Sequence, residues 1–478
     1  MTNLYVSPFS TRYTSLEMKK LFSEDWKFST WRKVWLEVAR GQKNLWVRRV
    51  TDAQVAEMEA HLTDIDYALA AKFEKESRHD VVAHAKTFGQ AAPLASPIIH
   101  LGLTSCDVTD NAELIQIREG LTMLLAKLAK VISRLSKFAE QYKDMPTLGF
   151  THWQPAQPTT VGKRACMWLQ DLVVHLLAIE ELRDNLKFRG IKGADGTQAA
   201  MVEVFSGDRT KVWQLEQAVA ETFGFGRKIW PITGQTYPRL VDTQVLQALA
   251  CLAASIHKVG QDIRMLQCFK EIEEPFEKGQ KGSSAMAYKR NPMRNERACS
   301  IARHIMALPI EALMTQALQG FERTLDDSAG RRIYISEAFL ATDAILILCQ
   351  NVFEGFVVYP KMIERHLKTE LPFMAVEEII VAMVEAGANR TEVYERLSHL
   401  SQEAGLQVKM EGKDNPLLQM VEADTFFEPV KNQLNSLLEP KRFIGEAPKQ
   451  VTYFIQSNVL PLLARYPDAD EGVATLAV

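Results

Sequence analysis

The chain is 478 residues long, with 47% hydrophobic and 24% charged residues and a formal net charge of −3. That length exceeds a single core and calls for two or three domains, while the composition is that of an ordinary globular protein. So small a net charge excludes a global field for nucleic acid or a membrane surface, so any anion must be held by locally clustered cations.

The first twenty residues, MTNLYVSPFSTRYTSLEMKK, contain no apolar run of signal-peptide type. The longest uninterrupted apolar runs, such as AILILC near residue 344, fall far short of a membrane span. Six scattered cysteines show no CxxC and no metal-ligand spacing, which fits a reducing compartment. A soluble cytoplasmic protein is expected. Residues 1–104 read as shorter helices, with Trp26, Trp31 and Trp35 in a local core. Three small polar groups stand out there: Thr11, Arg12 and Tyr13; Arg78, His79 and Asp80; and Thr104 with Ser105. On one continuous helix the second group would splay over different faces, so a solvated charged patch competes with a ligand-reading cluster.

From residue 105 to 357 helical periodicity dominates. Leu114, Ile117, Leu121, Leu124, Leu128, Val131, Leu135 and Phe138 recur every three or four positions, one apolar stripe within a helix of residues 111–145, roughly 50 Å long. GFTHWQPAQPTT follows, and its prolines predict a turn bearing Thr151 and His152 just ahead of a helix from Val161 to Arg189. A histidine there can move protons near neutral pH or merely satisfy a helix end. After TGQTY (residues 233–237) a third long helix runs to about Glu273. KGQKGSSAMAYKRNPMRNE, residues 278–296, then interrupts the pattern with Gly279 and Gly282 as flexible points, Ser283 and Ser284, and Lys289, Arg290 and Asn291. It reads as a connector or as a mobile loop that closes over an anion. A fourth helix starts near Asn295, with Pro309 expected to bend or interrupt it, and a fifth near Ile335. Between them FERTLDDSAGRR offers Arg323, Ser328, Arg331 and Arg332 as phosphate donors, with Asp326 and Asp327 as possible neutralising partners. Residues 358–478 return to short helices. The organisation is therefore all-α, with three helical domains (1–104, 105–357, 358–478), the central one a bundle of long helices.

GSSAMAYKRNP is similar to the GSSxMPxKxN signature of the fumarase/aspartase superfamily, with Ala287 where that pattern has proline. Within the superfamily RHD, GFTHWQPAQPTTVGKR, KGADGTQA, TGQTY, EEPFEK and FERTLDDSAGRR resemble the animal-type adenylosuccinate lyases, from Arg12 to about residue 375 and more weakly beyond. The resemblance implies a homotetramer built on a 20-helix core, with active sites shared between subunits and no cofactor or metal. It also implies elimination of fumarate from a succinylated nucleotide. Ser283 would be the base, with Ser284 an adjacent alternative. His152 would be the acid, Glu296 the carboxylate that supports it, and Lys289 a cation of the loop. Arg12, Tyr13, Arg323, Ser328 and Arg332 would hold phosphate and ribose; Arg78, His79 and Asp80 base and phosphate; Gln235 and Arg297 further parts of the nucleotide. Thr104, Ser105, Thr151, Lys289 and Asn291 would surround the succinyl carboxylates. Two rivals are an argininosuccinate-type lyase, which has no phosphate to hold, and a non-catalytic helical scaffold, which needs none of Ser283, His152, Lys289 and Glu296.

Overall fold

A computed structural model describes residues 3–476. Its principal helices are α1 (Glu24–Asn44), α2 (Tyr67–Ser77), α3 (Asp80–Ala91), α4 (Ser105–Gln141), α5 (Val161–Asp184), α6 (Leu240–Cys268), α7 (Met293–Ala317) and α8 (Asp327–Glu354). The all-α class is borne out. Among the described residues strand is confined to a hairpin, β1 (Pro146–Thr151) with β2 (Gln154–Thr160), and to one short pair, Ile272–Glu273 with Val357–Val358.

The apolar stripe of α4 is buried along its whole length, from Leu114 at 0% exposure to Phe138 at 7%. At 37 residues the helix is about 55 Å long, and it begins earlier than its stripe predicts. A capping box explains the start: the Thr104 side chain accepts from the Asp107 amide, and the Asp107 carboxylate takes the Thr104 N–H at 2.8 Å. It ends at Gln141, short of residue 145, because the next turn receives α5: Gly162 N–H donates to Tyr142 O at 2.9 Å. A Cβ on Gly162 would stand 2.3 Å from Ala139 O, so only glycine permits that approach. Helices α5 and α8 pack on α4, α6 packs on α5, α7 and α8, and α7 packs on α6 and α8, which makes the bundle. Pro309 does not interrupt α7; it is buried in a helix flanked by α6 and α8. Two bundle helices, α6 and α8, have the length and composition of a membrane span although no single apolar run suggests it; 50% and 78% of their apolar windows are already buried in the protein.

Trp31 and Trp35 sit in the core at 2% and 1% exposure, and Trp26 packs against it half-buried. Toward the C-terminus, residues 379–437 gather a separate apolar cluster around Ile379, Val393, Leu397 and Phe427, while Val451 to Ala469 rejoin the main core. The tail is anchored there by Arg134, which donates to Ala469 O at 3.0 Å and Gly472 O at 2.7 Å.

The segment expected as a simple turn before α5 is the β1–β2 hairpin, with Thr151 opposite Gln154 and an irregularity between Leu148 and Phe150. Its two-residue tip is His152 and Trp153, both left-handed at φ 53° and 60°. That geometry matches the right-handed twist of paired strands but is uncommon for residues other than glycine, asparagine or aspartate. Pro155 and Pro158 are tolerated because each strand of a two-stranded ribbon has a free edge.

Candidate active site

Arg78 ends α2 in a left-handed conformation (φ 55°), and His79 is the N-cap of α3. The helix breaks between them, so Arg78, His79 and Asp80 do not splay but share one wall of a cavity of about 960 Å³. Val82 N–H points to His79 Nδ1 at 3.5 Å, leaving Nε2 directed at Ser105 Oγ, 3.3 Å away at the start of α4. From the opposite side, the first turns of α8 bring Ser328 and Arg332, and Arg332 Nη2 donates to Asp80 Oδ2 at 2.8 Å. Arg323 Nη1 donates to Gln235 Oε1 at 2.8 Å and to Cys106 Sγ at 3.0 Å. Nine expected residues, Arg78, His79, Asp80, Thr104, Ser105, Gln235, Arg323, Ser328 and Arg332, thus line one space. Its size suits a nucleotide-scale ligand.

Beneath this space lies a buried ionic floor. Arg239 donates to Asp327 at 2.8 Å and Asp110 at 3.2 Å; Arg331 donates to Asp242 at 2.7 Å, Glu113 at 2.8 Å and the Tyr237 hydroxyl at 2.5 Å. Arg331, grouped by sequence with the free phosphate donors, is therefore a structural cation, 5% exposed, with its Nε and Nη2 committed to this floor. Burial opposes the charge on Asp110, but Arg239, Arg331 and Arg189 outweigh it and hold its carboxyl below the usual value. Asp80 is likewise held low: burial opposes ionisation and the hydrogen bond and charge of Arg332 overcome it. Burial and Asp110 push the Cys106 thiol up to about 12, so it stays protonated. Lys27 also lines the cavity and was missed from sequence. The signal was its place one helical turn before the buried Trp31, a charge on an otherwise apolar stripe.

The remaining expected residues lie elsewhere on the same chain. Thr151 and His152 border a largely apolar cavity of about 980 Å³ with Phe150, Trp153, Met167 and Met265. His152 is exposed and makes no hydrogen bond within the described residues. Glu296 lines a small hollow with Arg264, Met265 and Arg290, and does not meet His152 within the chain. Arg12 and Tyr13 end a short π-helical turn, Phe9–Tyr13, packed on α8, and the Arg297 guanidinium of α7 stands 5.5 Å from the Tyr13 ring centroid.

The glycine-serine loop is compact. Ser283 Oγ accepts from Ala285 N at 3.2 Å and Met286 N at 3.0 Å, so two amides already point at the oxygen. Asn291 Nδ2 donates to Gly282 O at 2.7 Å and closes the loop's base. Gly282 is less a flexible point than a close approach, since a Cβ there would stand 1.9 Å from Lys289 O. Gly279 does use the left-handed region, at φ 89°. Lys289 and Ser284 are exposed on the loop.

Solved structures with this architecture include a 3-carboxy-cis,cis-muconate lactonizing enzyme from Pseudomonas putida, with TM-score 0.80 and 23% identity over 96% of this chain and 99% of that one. A fumarate lyase from Mesorhizobium sp. BNC1 matches at TM-score 0.80 and 21% identity, over 95% and 100%. These define the fold. A family profile described as Lyase covers residues 29–307, and one described as Adenylosuccinate lyase C-terminus covers residues 372–454. The adenylosuccinate lyases of Schizosaccharomyces pombe and Saccharomyces cerevisiae are 50% and 52% identical to this chain. The first match covers 97% of this chain and 96% of the relative, the second 95% of each. The chain belongs to the adenylosuccinate lyase family of the fumarase/aspartase superfamily.

Proposed function

We propose that this protein is a carbon–nitrogen lyase that eliminates fumarate from adenylosuccinate to give AMP, and from the related imidazole substrate SAICAR to give AICAR. The observation that carries the reading is the cavity where Arg78, Arg323, Arg332 and Ser328 converge, a donor set suited to a phosphate. Argininosuccinate has no phosphate, and a scaffold has no use for such a set.

In the mechanism the Ser283 alkoxide takes a proton from the carbon beside a succinyl carboxylate, and the charge spreads into that carboxylate. The Ala285 and Met286 amides stabilise the alkoxide, and loop closure with Lys289 expels water and strengthens that field. The C–N bond then breaks, and His152 returns a proton to the departing nitrogen, its cationic form supported by Glu296. Thr104, Ser105, Thr151 and Asn291 surround the succinyl carboxylates; Arg12, Tyr13, Gln235 and Arg297 complete the nucleotide contacts. Because His152 borders a different cavity from the phosphate donors, the site is read as shared between subunits of a homotetramer. The protein is read as cytoplasmic, with domains at 1–104, 105–357 and 358–478.

The test follows purine ultraviolet absorbance with adenylosuccinate and, separately, fumarate release from argininosuccinate. Turnover of adenylosuccinate alone is expected; silence with it and turnover of argininosuccinate would overturn the reading. If Ser283→Ala kept a near-normal rate while Ser284→Ala lost it, the neighbour would be the base.

A further inference from the structure

Lys27 lies on α1, half-buried in the wall of the phosphate-type cavity. Its Nζ stands 5.0 Å from the ring centroids of both Phe28 and Trp31, so the side chain is held against two aromatic faces. Among the described residues it makes no hydrogen bond and no ion pair. The charges acting on it come from four elements or turns: Arg332 of α8, Asp80 of α3, Glu113 of α4, and Glu24 one turn back on α1. Burial, then the like charge of Arg332, pushes its pKa down. Two of the carboxylates are committed elsewhere, Asp80 to Arg332 and Glu113 to Arg331, each at 2.8 Å. The ammonium is thus partly desolvated, beside a second cation, and lacks a counter-charge at contact distance.

We propose that Lys27 is a phosphate-binding residue, its ammonium closing with the Arg332 guanidinium on one phosphate dianion of the bound nucleotide. This rests on the nucleotide reading above. The two cations divide the work by shape: the guanidinium gives a planar fork that fixes orientation, and the ammonium gives a point charge that tolerates rotation. A lysine kept only for its contacts with Phe28 and Trp31 would, when replaced by methionine, change stability without changing phosphate affinity, since those contacts lie within the protein.

The discriminating variant is therefore Lys27→Met, with Lys27→Arg as the charge-retaining partner. For Lys27→Met the KM for adenylosuccinate should rise, and competitive inhibition by AMP weaken, by about ten-fold or more, the loss of one charge-assisted contact. The loss should fall on KM and not on kcat, inhibition by the phosphate-free succinyladenosine should be unchanged, and Lys27→Arg should recover much of the affinity. Unaltered KM and AMP inhibition in Lys27→Met, or an equal loss toward succinyladenosine, would overturn the proposal. Should the unaltered protein fail to turn over adenylosuccinate, the functional reading falls separately. Calorimetric binding of inorganic phosphate then still decides for Lys27: it should be weaker in Lys27→Met, and equal binding refutes the assignment.

Discussion

Arg331 and Arg332 are adjacent in sequence and should fail in opposite ways. Replacing Arg331 by glutamine removes the partner of Asp242, which is 1% exposed and ion-paired to it at 2.7 Å. Breaking such a buried pair costs roughly 3–5 kcal/mol, because the surviving carboxylate is left uncompensated. Arg332 is 56% exposed at its side chain, and its pair with Asp80 is solvent-screened, worth about 0.2–1 kcal/mol. Arg332→Gln should therefore unfold in urea within about 1 kcal/mol of the unaltered protein while losing affinity for AMP by roughly ten-fold or more. Arg331→Gln should unfold at clearly lower urea. The paired assay is urea unfolding of each variant alongside AMP inhibition constants measured under native conditions. If Arg332→Gln proved as unstable as Arg331→Gln, or Arg331→Gln were fully stable with only affinity lost, the division into a structural and a ligand-facing arginine would be wrong.

Burial, with Lys27 nearby, pushes His84 down to about 4, its ring stacked 3.6 Å from the Phe28 centroid. The folded state thus excludes a proton that the unfolded chain takes up at its ordinary pKa of 6.5. Stability from the neutral ring is full above that pKa and falls as pH drops, by about 3 kcal/mol once pH 4 is passed. His84→Phe keeps the stack and should lose about 1 kcal/mol less than the unaltered protein between about pH 7 and 5.5, measured by urea unfolding; equal losses would refute it. Gly282→Ala must displace Lys289 O and reopen the loop, so kcat should fall about a hundred-fold while AMP still binds and global stability changes little. A normal kcat in that variant would show that the compact loop is not the working one.

The bundle was legible because its signal is local: the Leu114–Phe138 stripe recurs at helical spacing, and every member of it is buried. The start of α4 was not, since it depends on the Thr104–Asp107 capping box ahead of the stripe. The hairpin stayed hidden because Pro155 and Pro158 depress any strand reading, and because His152 and Trp153 are unusual residues for a tight left-handed turn. At the site, residue types were readable and their division of labour was not. Arg331 and Arg332 point about 100° apart on one helix, and only the packing of α8 against α4 and α6 decides which turns inward. The clustering of Arg78, His79 and Asp80 likewise depends on a helix break that no glycine or proline announces.

The proposed sharing of one active site between subunits has a direct test if the Ser283 loop and the His152 hairpin of a site come from different chains. Ser283→Ala and His152→Ala proteins, each expected to be inactive alone, should be dissociated together, reassembled and assayed with adenylosuccinate. Activity should return in the mixture, because some sites then receive an intact serine and an intact histidine from different chains. A mixture that reassembles and stays silent would mean that both groups must come from the same chain, contradicting the account.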